Sequence, residues 1–179
     1  PFKIQSKNFK IIKEINKGTF GIIYEVEEKK TAEHYAAKII ITGSSRQASE
    51  MVNREVQIMM RIQNPTLIGF RGFSTTDFSG NKNITIFMDL VENGTLEEVL
   101  DKVQKSLAYD NYNNTTRQII LVGIAYGMMI LHHNYIIHRN LKPGNILIDK
   151  LFYPHIADFG LSKFIDSDHS KSQSKSFGA

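Results

Sequence analysis

The first half of the chain alternates short apolar segments with polar turns, a pattern typical of an antiparallel sheet. Strands are predicted at residues 9–14, 22–27, 34–41, 67–73 and 84–90. Between the third and fourth of these strands, residues 49–62 carry apolar side chains at helical spacing, and Asn64-Pro65 ends that helix. One helix among five strands predicts a lobe built mainly of sheet.

The second half of the chain is predicted to be mainly helical. Helices are expected at residues 95–103 and 115–133, with short strands around residue 136, at 146–149 and at 155–156. The tail at 166–176 is rich in Ser, Lys and Asp, as exposed loops are. The expected fold class is therefore α+β, with a sheet lobe over residues 1–90 and a hinge and helical lobe over residues 91–179.

Composition and charge narrow the classes of function. The chain has no cysteine, which excludes disulfides and thiolate metal sites and fits a cytoplasmic, reducing location. The net charge is +4, but the lysines are scattered apart from Lys29-Lys30, so no nucleic-acid partner is expected. The longest apolar run, residues 119–131, is shorter than the roughly 20 residues that a membrane span needs, so no span is expected.

A turn with two glycines, Gly18-Thr19-Phe20-Gly21, connects the first two predicted strands. Such a turn lets backbone amides approach phosphate groups, although an ordinary hairpin has the same composition. Lys38 lies within an apolar strand, where a lysine either reaches solvent or has an anionic partner, and Glu55 on the following helix is a candidate partner. The pair either holds the ammonium towards nucleotide phosphates or is a plain structural ion pair.

The most informative stretch lies between residues 136 and 161. It contains His138-Arg139-Asn140-Leu141-Lys142-Pro143-Gly144-Asn145 and then Asp158-Phe159-Gly160. Asn145 and Asp158 offer the oxygen ligands that Mg²⁺ prefers, and Lys142 offers a positive charge for a phosphoryl group. With the glycine turn and the Lys–Glu pair, these residues form a set of parts for holding Mg-ATP.

The motifs, in this order and at this spacing, resemble those of a eukaryotic protein kinase domain from its first strand into the activation loop. The resemblance implies a bilobal fold, with an antiparallel sheet and helix C in the N-lobe and an incomplete helical C-lobe. It also implies ATP and Mg²⁺ as cofactors and a protein as substrate or partner. The residues that match the stacked hydrophobic side chains linking the lobes are Met59, Phe70, His138 and Phe159.

The resemblance assigns roles to single residues. Lys38 and Glu55 match the strand-three lysine and its partner on helix C. Asn145 and Asp158 match the two metal-binding residues, and Lys142 has the form typical of Ser/Thr kinases. The residues expected around the nucleotide are the glycine turn, the side chains that sandwich adenine, the gatekeeper and the hinge: Gly18, Thr19, Phe20, Gly21, Ile23, Ala36, Lys38, Met88, Asp89, Val91 and Leu147.

Three features depart from the kinase pattern. Asn16 stands where the first glycine of the loop belongs, and because asparagine tolerates left-handed backbone, the loop is still expected to form. Asn140 stands at the position of the catalytic aspartate, which accepts the proton of the substrate hydroxyl, and an amide has no useful basicity. The sequence ends at Ala179 within the predicted activation segment, so part of the C-lobe is expected to be absent.

The function expected from these features is Mg²⁺-dependent binding of ATP, with transfer of the γ-phosphate lost or very weak. The alternatives are an active Ser/Thr kinase that tolerates Asn140, a binding module that works with or without nucleotide, and a truncated copy without function. The expected partners are ATP and a protein substrate or protein partner. Because the helix at residues 115–133 is apolar nearly all round, self-association through an exposed C-lobe surface is a further expectation.

Overall fold

The first half of the chain contains a five-stranded antiparallel sheet, as predicted. The computed structural model describes residues 2–18, 21–41, 46–105 and 112–165, so Thr19, Phe20 and the predicted tail lie outside the described residues. The strands lie in the spatial order β1-β2-β3-β5-β4. They are β1 (Phe9–Gly18), β2 (Gly21–Glu28), β3 (His34–Ile40), β4 (Phe70–Ser74) and β5 (Thr85–Asp89).

Helix α1 (Arg46–Arg61) packs against one face of this sheet. Its buried side chains recur every three or four residues, at Val52, Glu55, Ile58 and Met59. This spacing puts them on one side of the helix, as the apolar periodicity of the sequence predicts. One of the four is a carboxylate, which is the feature of α1 that needs a partner.

The second half of the chain contains two helices and two small strand pairs among the described residues. The helices are α2 (Leu96–Gln104) and α3 (Asn114–His133). The strands are β6 (Ile136–Ile137), β7 (Ile146–Ile148), β8 (Pro154–Ile156) and β9 (Lys163–Phe164), with β6 paired to β9 and β7 to β8. Strand β9 was not predicted, because Lys163-Phe164 forms neither an apolar run nor an alternating pattern.

Both of these helices begin at a polar side chain that caps free backbone amides. Thr95 precedes α2 and forms a reciprocal capping box with Glu98, and Asn113 precedes α3 and accepts a hydrogen bond from the Thr116 amide at 3.1 Å. Such caps satisfy donors that have no partner within the helix. The start of each helix is therefore determined by local sequence, within one residue of the predicted position.

One continuous hydrophobic core joins the sheet to the helical half. It runs from Ala36 and Ile86 on the sheet, through α1, to Leu131 on α3 and to Ile156 and Phe159. Strand alternation sends the intervening residues to the other face of the sheet, where a second, smaller cluster forms from Phe9, Val26, Ala37 and Phe87. The structure is consequently an α+β fold of the protein-kinase type, with a sheet lobe and a helical part that share a core.

Two strand boundaries differ from the prediction by more than one residue. β1 continues to Gly18 rather than ending at residue 14, because after a register shift its last residues still pair with β2. β4 begins at Phe70 rather than at residue 67. Leu67 instead forms an isolated bridge with Ile156, and the Ile68 amide donates to the Ile156 carbonyl at 2.9 Å. The segment before β4 therefore attaches the sheet to the helical half.

The N-terminal residues extend the sheet beyond its β4 edge. The Ile4 amide donates to the Phe73 carbonyl and the Phe73 amide donates to the Phe2 carbonyl, each at 2.8 Å. The Phe2 ring lies 5.3 Å from the Phe70 ring, centroid to centroid. Gly72 makes this approach possible, since a Cβ there would lie 2.4 Å from the Phe2 carbonyl oxygen.

Replacing Gly72 by Ala is expected to displace residues 2–4 and to lower the free energy of unfolding by about 1–3 kcal/mol. The new Cβ would meet Phe2 and Ile4 in a backbone conformation, φ +152°, that side chains other than glycine rarely adopt. Gly80→Ala is the matched control, because φ there is +85° and a Cβ would meet nothing within 4 Å. Urea denaturation measures both. Equal losses for the two variants would contradict the argument from the N-terminal contact.

Candidate functional site

A cleft of about 320 Å³ lies between the sheet and the helical half. Volumes of this size are typical of sites for small ligands. All residues predicted to surround a nucleotide or metal that fall in the described part of the chain line this cleft. They are Gly18, Gly21, Ile23, Ala36, Lys38, Met88, Asp89, Val91, Asn145, Leu147 and Asp158, and Glu55, the predicted partner of Lys38, lines the cleft as well. The structure thus brings together residues that are far apart in sequence.

The ammonium of Lys38 is held by two carboxylates at the back of the cleft. Its Nζ lies 2.8 Å from both oxygens of Glu55 and 3.6 Å from Oδ1 of Asp158. Burial opposes the charged form of Lys38, but the attraction of Glu55 and Asp158 outweighs it and raises the pKa of Lys38 above its ordinary value. Lys38 is therefore a fixed positive charge in the cleft at neutral pH.

Strand and helix periodicity explain why Lys38 and Glu55 meet. Side chains alternate along β3, so Lys38 shares a face with Ala36 and Ile40, both of which belong to the core next to α1. On α1, Glu55 is buried between Val52 and Met59. A carboxylate in this apolar stripe requires a cation, because burying an unpaired charge is costly.

His138 anchors the loop between β6 and β7. Its ring is fully buried and packs against Phe159, with the ring centroids 5.4 Å apart. Nε2 lies 3.0 Å from the Ala157 carbonyl, and Nδ1 lies 3.3 Å from the Asn140 amide. Burial lowers the pKa of His138, so the ring is neutral, with Nε2 donating to Ala157 and Nδ1 accepting from Asn140.

Two residues beside this anchor adopt left-handed backbone, Arg139 at φ 61° and Asp158 at φ 65°. Conformations of this kind carry strain in residues other than glycine and persist where surrounding contacts hold them. The Arg139 Nε donates to the Leu161 carbonyl at 2.6 Å, which ties the loop to the segment after Gly160. The backbone at Asp158 turns its carboxylate towards Lys38.

Asn145 and Asp158 offer oxygen atoms on the same side of the cleft. The Asn145 Nδ2 donates to the Asn140 carbonyl at 2.8 Å, which orients the amide and leaves its Oδ1 for another partner. The Asp158 carboxylate is about two-fifths exposed, at 38% of its side-chain surface. One oriented amide oxygen and one accessible carboxylate are the type of donors that Mg²⁺ takes, so these residues fit that ion.

The protein-family profile described as the protein kinase domain matches residues 9–178, nearly the whole chain. The chain belongs to the protein kinase family. The match covers every strand from β1 onwards and all three described helices. It agrees with the arrangement of the Lys38–Glu55 pair and the Asp158-Phe159-Gly160 segment around one cleft.

Known kinases from plants and animals are similar to this kinase domain. A leucine-rich repeat receptor-like serine/threonine-protein kinase of Arabidopsis thaliana is 29% identical over 177 residues, which cover 97% of this chain and 15% of the relative. Mitogen-activated protein kinase kinase 7 of Arabidopsis thaliana is 34% identical over 152 residues, covering 84% and 46%. Cyclin-dependent kinase 7 of Caenorhabditis elegans is 30% identical over 167 residues, covering 90% and 47%. The chain spans less than half the length of these relatives.

The segment after β5 leads from the sheet of the kinase domain to α2. Met88 is buried and pairs with Ala36 across β3 and β5. The Asp89 carboxylate forms an ion pair with Arg71, and that hydrogen bond raises the pKa of Arg71. The Asp89 side chain is thus engaged by β4, while the residue still borders the cleft.

Two predicted site residues do not line the cleft of the kinase domain. Lys142 is exposed and precedes the short 3₁₀ helix Pro143–Asn145. Asn140 contacts the cleft through Asp158, to whose Oδ2 it donates a hydrogen bond at 3.0 Å. Both residues lie in the loop between β6 and β7, beside the metal-type donors. Thr19 and Phe20, also predicted, lie outside the described residues.

Several residues that line the cleft were not predicted. They are Ile15, Ile68, Gly94, Thr95, Glu98, Gly144 and Ala157. The Thr-x-x-Glu spacing of Thr95 and Glu98 is a readable capping-box signal, and it would have placed the first turn of α2 next to the hinge. The apolar members carry no comparable signal, because an isoleucine that borders a ligand site looks like any core isoleucine.

Asn16 does not adopt the left-handed backbone that its tolerance was expected to allow. It pairs with Ile23 in β1 and is absent from the described residues with positive φ. An extended strand residue at this position requires no tolerance of left-handed backbone. The close approach occurs instead at Gly21, where a Cβ would lie 1.9 Å from the Ile39 carbonyl oxygen of β3.

Within the described part of the chain, none of the helices combines the length and the apolar character that crossing a bilayer requires.

Proposed function

We propose that this chain is the Mg-ATP-binding part of a Ser/Thr-type protein kinase domain in which transfer of the γ-phosphate is weak. The observation that carries the proposal is the position of Lys38, whose ammonium is fixed between Glu55 and Asp158 in a cleft lined by the residues expected around a nucleotide. A buried cation that has carboxylate partners and still borders a cavity suits an anionic ligand.

Each part of the cleft has a task in holding ATP. Ile23, Ala36 and Leu147 border the space where the adenine ring would be sandwiched, next to Met88 and the hinge. The glycine turn at residues 18–21 would cover the phosphates with backbone amides. Lys38 would bind phosphate oxygens, and Glu55 holds it in the orientation to do so. The lobe boundary that this assignment implies lies between residues 90 and 91.

Asn145 and Asp158 are the residues that would hold Mg²⁺. When bound, the ion supplies positive charge that offsets the charge of the β- and γ-phosphates. Asn145 would contribute its amide oxygen Oδ1, which the hydrogen bond from its Nδ2 to the Asn140 carbonyl orients. Asp158 would contribute its partly exposed carboxylate, which Lys38 and Asn140 keep in position.

Asn140 accounts for the weak transfer. At pH 7 an aspartate at this position would be ionised and would accept the proton of the substrate hydroxyl, whereas an amide does not. The Nδ2 of Asn140 faces Asp158, so only its Oδ1 remains to accept a hydrogen bond from a hydroxyl. Orientation of the hydroxyl is thus retained in part, while removal of its proton is lost.

The loop between β6 and β7 also indicates what kind of partner the domain has. Lys142 carries an exposed positive charge next to residues 143–145, where a phosphoryl group in transit would pass. This suits a protein substrate with a serine or threonine hydroxyl. We infer that the domain works inside the cell, where ATP and Mg²⁺ are available. We also infer that residues 1–179 self-associate through α3.

Titration with Mg-ATP tests the proposal. Wild-type protein is expected to bind, and Lys38→Met is expected to weaken binding by about 5- to 150-fold, the range for a lost charge-assisted contact. Because Lys38→Met leaves Glu55 buried without its cation, the double variant with Glu55→Gln keeps the core neutral and gives a second measure of the same loss.

Lys13→Met is the matched control for this titration. Lys13 is 67% exposed, pairs with Glu25 on the surface and does not border the cleft. Its replacement is expected to leave the affinity for Mg-ATP unchanged. Equal affinity of the wild-type protein and both Lys38 variants, measured by calorimetry, would contradict the assignment of Lys38 to the phosphates.

A further inference from the structure

Both oxygens of the Asp158 carboxylate are engaged by groups of the chain itself. Oδ1 lies 3.6 Å from the Lys38 ammonium, and Oδ2 accepts a hydrogen bond from Asn140 Nδ2 at 3.0 Å. An ionised carboxylate only accepts hydrogen bonds, so the NH₂ group of Asn140 must be the part that faces it. The contact joins the loop after His138 to the Asp158-Phe159-Gly160 segment.

The backbone of Asn140 is fixed on two sides. Its amide donates to His138 Nδ1 at 3.3 Å, and its carbonyl accepts from Asn145 Nδ2 at 2.8 Å. Because His138 is fully buried and Asn145 nearly so, this frame is rigid. The direction of the Asn140 side chain towards Asp158 is therefore set by the core.

An aspartate at position 140 would replace this attractive contact with a repulsive one. It would place a carboxylate oxygen where Asn140 has its NH₂ group, about 3 Å from Asp158 Oδ2, and like charges at that distance repel each other. A divalent cation bound beside the two carboxylates would offset the repulsion. With Asn140 the repulsion does not arise, and the cleft carries one negative charge fewer next to the expected phosphates.

We propose that Asn140 is a positioning residue that holds Asp158 by this hydrogen bond, so that the cleft binds adenine nucleotide with less dependence on a divalent cation than a site with aspartate at position 140. The inference rests on the proposed function, since it concerns the same cleft. It assigns Asn140 a role of its own in nucleotide binding, besides the absence of a base.

The test compares ATP affinity in EDTA with ATP affinity in Mg²⁺ for the wild type, Asn140→Ala and Asn140→Asp. In EDTA we expect the wild type to bind tightest, Asn140→Ala to be weaker by about 3- to 10-fold, and Asn140→Asp to be weaker by more than about 10-fold. In Mg²⁺, the difference in ATP affinity between Asn140→Asp and the wild type is expected to be smaller than in EDTA. Calorimetry with ATP as the ligand gives all six affinities.

Asn113→Asp is the control for added charge. Asn113 caps α3 through its Oδ1 and does not border the cleft, and aspartate caps a helix equally well. It is expected to bind ATP as the wild type does in both buffers. Thermal melts of all four proteins show whether each variant is folded before its affinity is compared.

The outcomes separate this inference from the proposed function. A folded wild type that binds no ATP in either buffer would overturn both. Mg-ATP binding by the wild type, with the same ratio of affinities in Mg²⁺ and EDTA for all three proteins, would overturn the inference alone. An Asn140→Ala variant that equals the wild type in EDTA would show that the hydrogen bond does not position Asp158, and would overturn it as well.

Discussion

Replacing Asn140 by Asp is expected to raise the rate of γ-phosphate transfer to serine and threonine peptides by about 10²-fold or more. The reason is that a carboxylate at this position restores a general base, whose loss typically costs about 10²- to 10⁴-fold. The backbone of residue 140 is already fixed by His138 and Asn145, so the new carboxylate starts in a defined position. Transfer is measured with radiolabelled ATP and Mg²⁺ at saturating peptide.

The double variant Asn140→Asp with Lys38→Met shows whether the restored transfer belongs to this site. It is expected to be as slow as the wild type, because the phosphates lose the cation that Lys38 provides. Transfer that rises equally in the single and the double variant would come from a contaminating kinase. A single variant no faster than the wild type would show that Asn140 is not what limits the reaction.

Residues 1–179 are expected to self-associate reversibly, at concentrations on the order of 10–100 μM, through one face of α3. Leu121, Val122, Tyr126 and Met129 on this face are 66%, 68%, 47% and 53% exposed. Burying an apolar side chain of this size stabilises a complex by about 1.5–3 kcal/mol. A contiguous apolar patch on a helix is typical of a contact surface, whereas scattered apolar residues are not.

Sedimentation of the wild type against a triple variant, Leu121→Gln, Val122→Gln and Met129→Gln, measures this effect. The triple variant is expected to be a monomer, since glutamine is as good a helix former as leucine and methionine and a better one than valine, but presents a polar amide in place of the apolar surface. Leu151→Gln is the control, because Leu151 is 64% exposed but lies between β7 and β8. A wild type that stays monomeric at 100 μM, or a triple variant that associates equally, would exclude the α3 face as the contact.

Most of the elements could be predicted because their patterns are local. The short apolar run at Ile86, Phe87 and Met88 marks β5, and the helical spacing of Val52, Val56 and Met59 marks α1. The resemblance to protein kinases then indicated which polar residues meet in the cleft. The cost of an unpaired buried charge made Glu55 a candidate partner of Lys38, and the resemblance assigned the pair.

Contacts that depend on tertiary geometry could not be predicted in this way. The Asn140–Asp158 hydrogen bond joins residues 18 positions apart and depends on the left-handed backbone of Asp158, which no local pattern encodes. Similarly, the apolar residues before β4 could either extend that strand or pair with the helical half, as Leu67 does with Ile156. Their hydrophobicity fits both arrangements. Residues 2–4 can join the sheet because Gly72 has no Cβ in their way, and nothing in the composition of residues 2–4 indicates this contact.

Whether the domain binds ATP without transferring its phosphate is measured by following bound ATP over time in one sample. Wild-type protein in excess over γ-labelled ATP, with Mg²⁺ and peptide, is sampled by filter binding for occupancy and by chromatography for the fate of the label. We expect ATP to be bound and to remain unreacted for minutes. Absence of bound ATP, or transfer of the label at about 1 s⁻¹ or faster, the range of working kinases, would contradict this expectation.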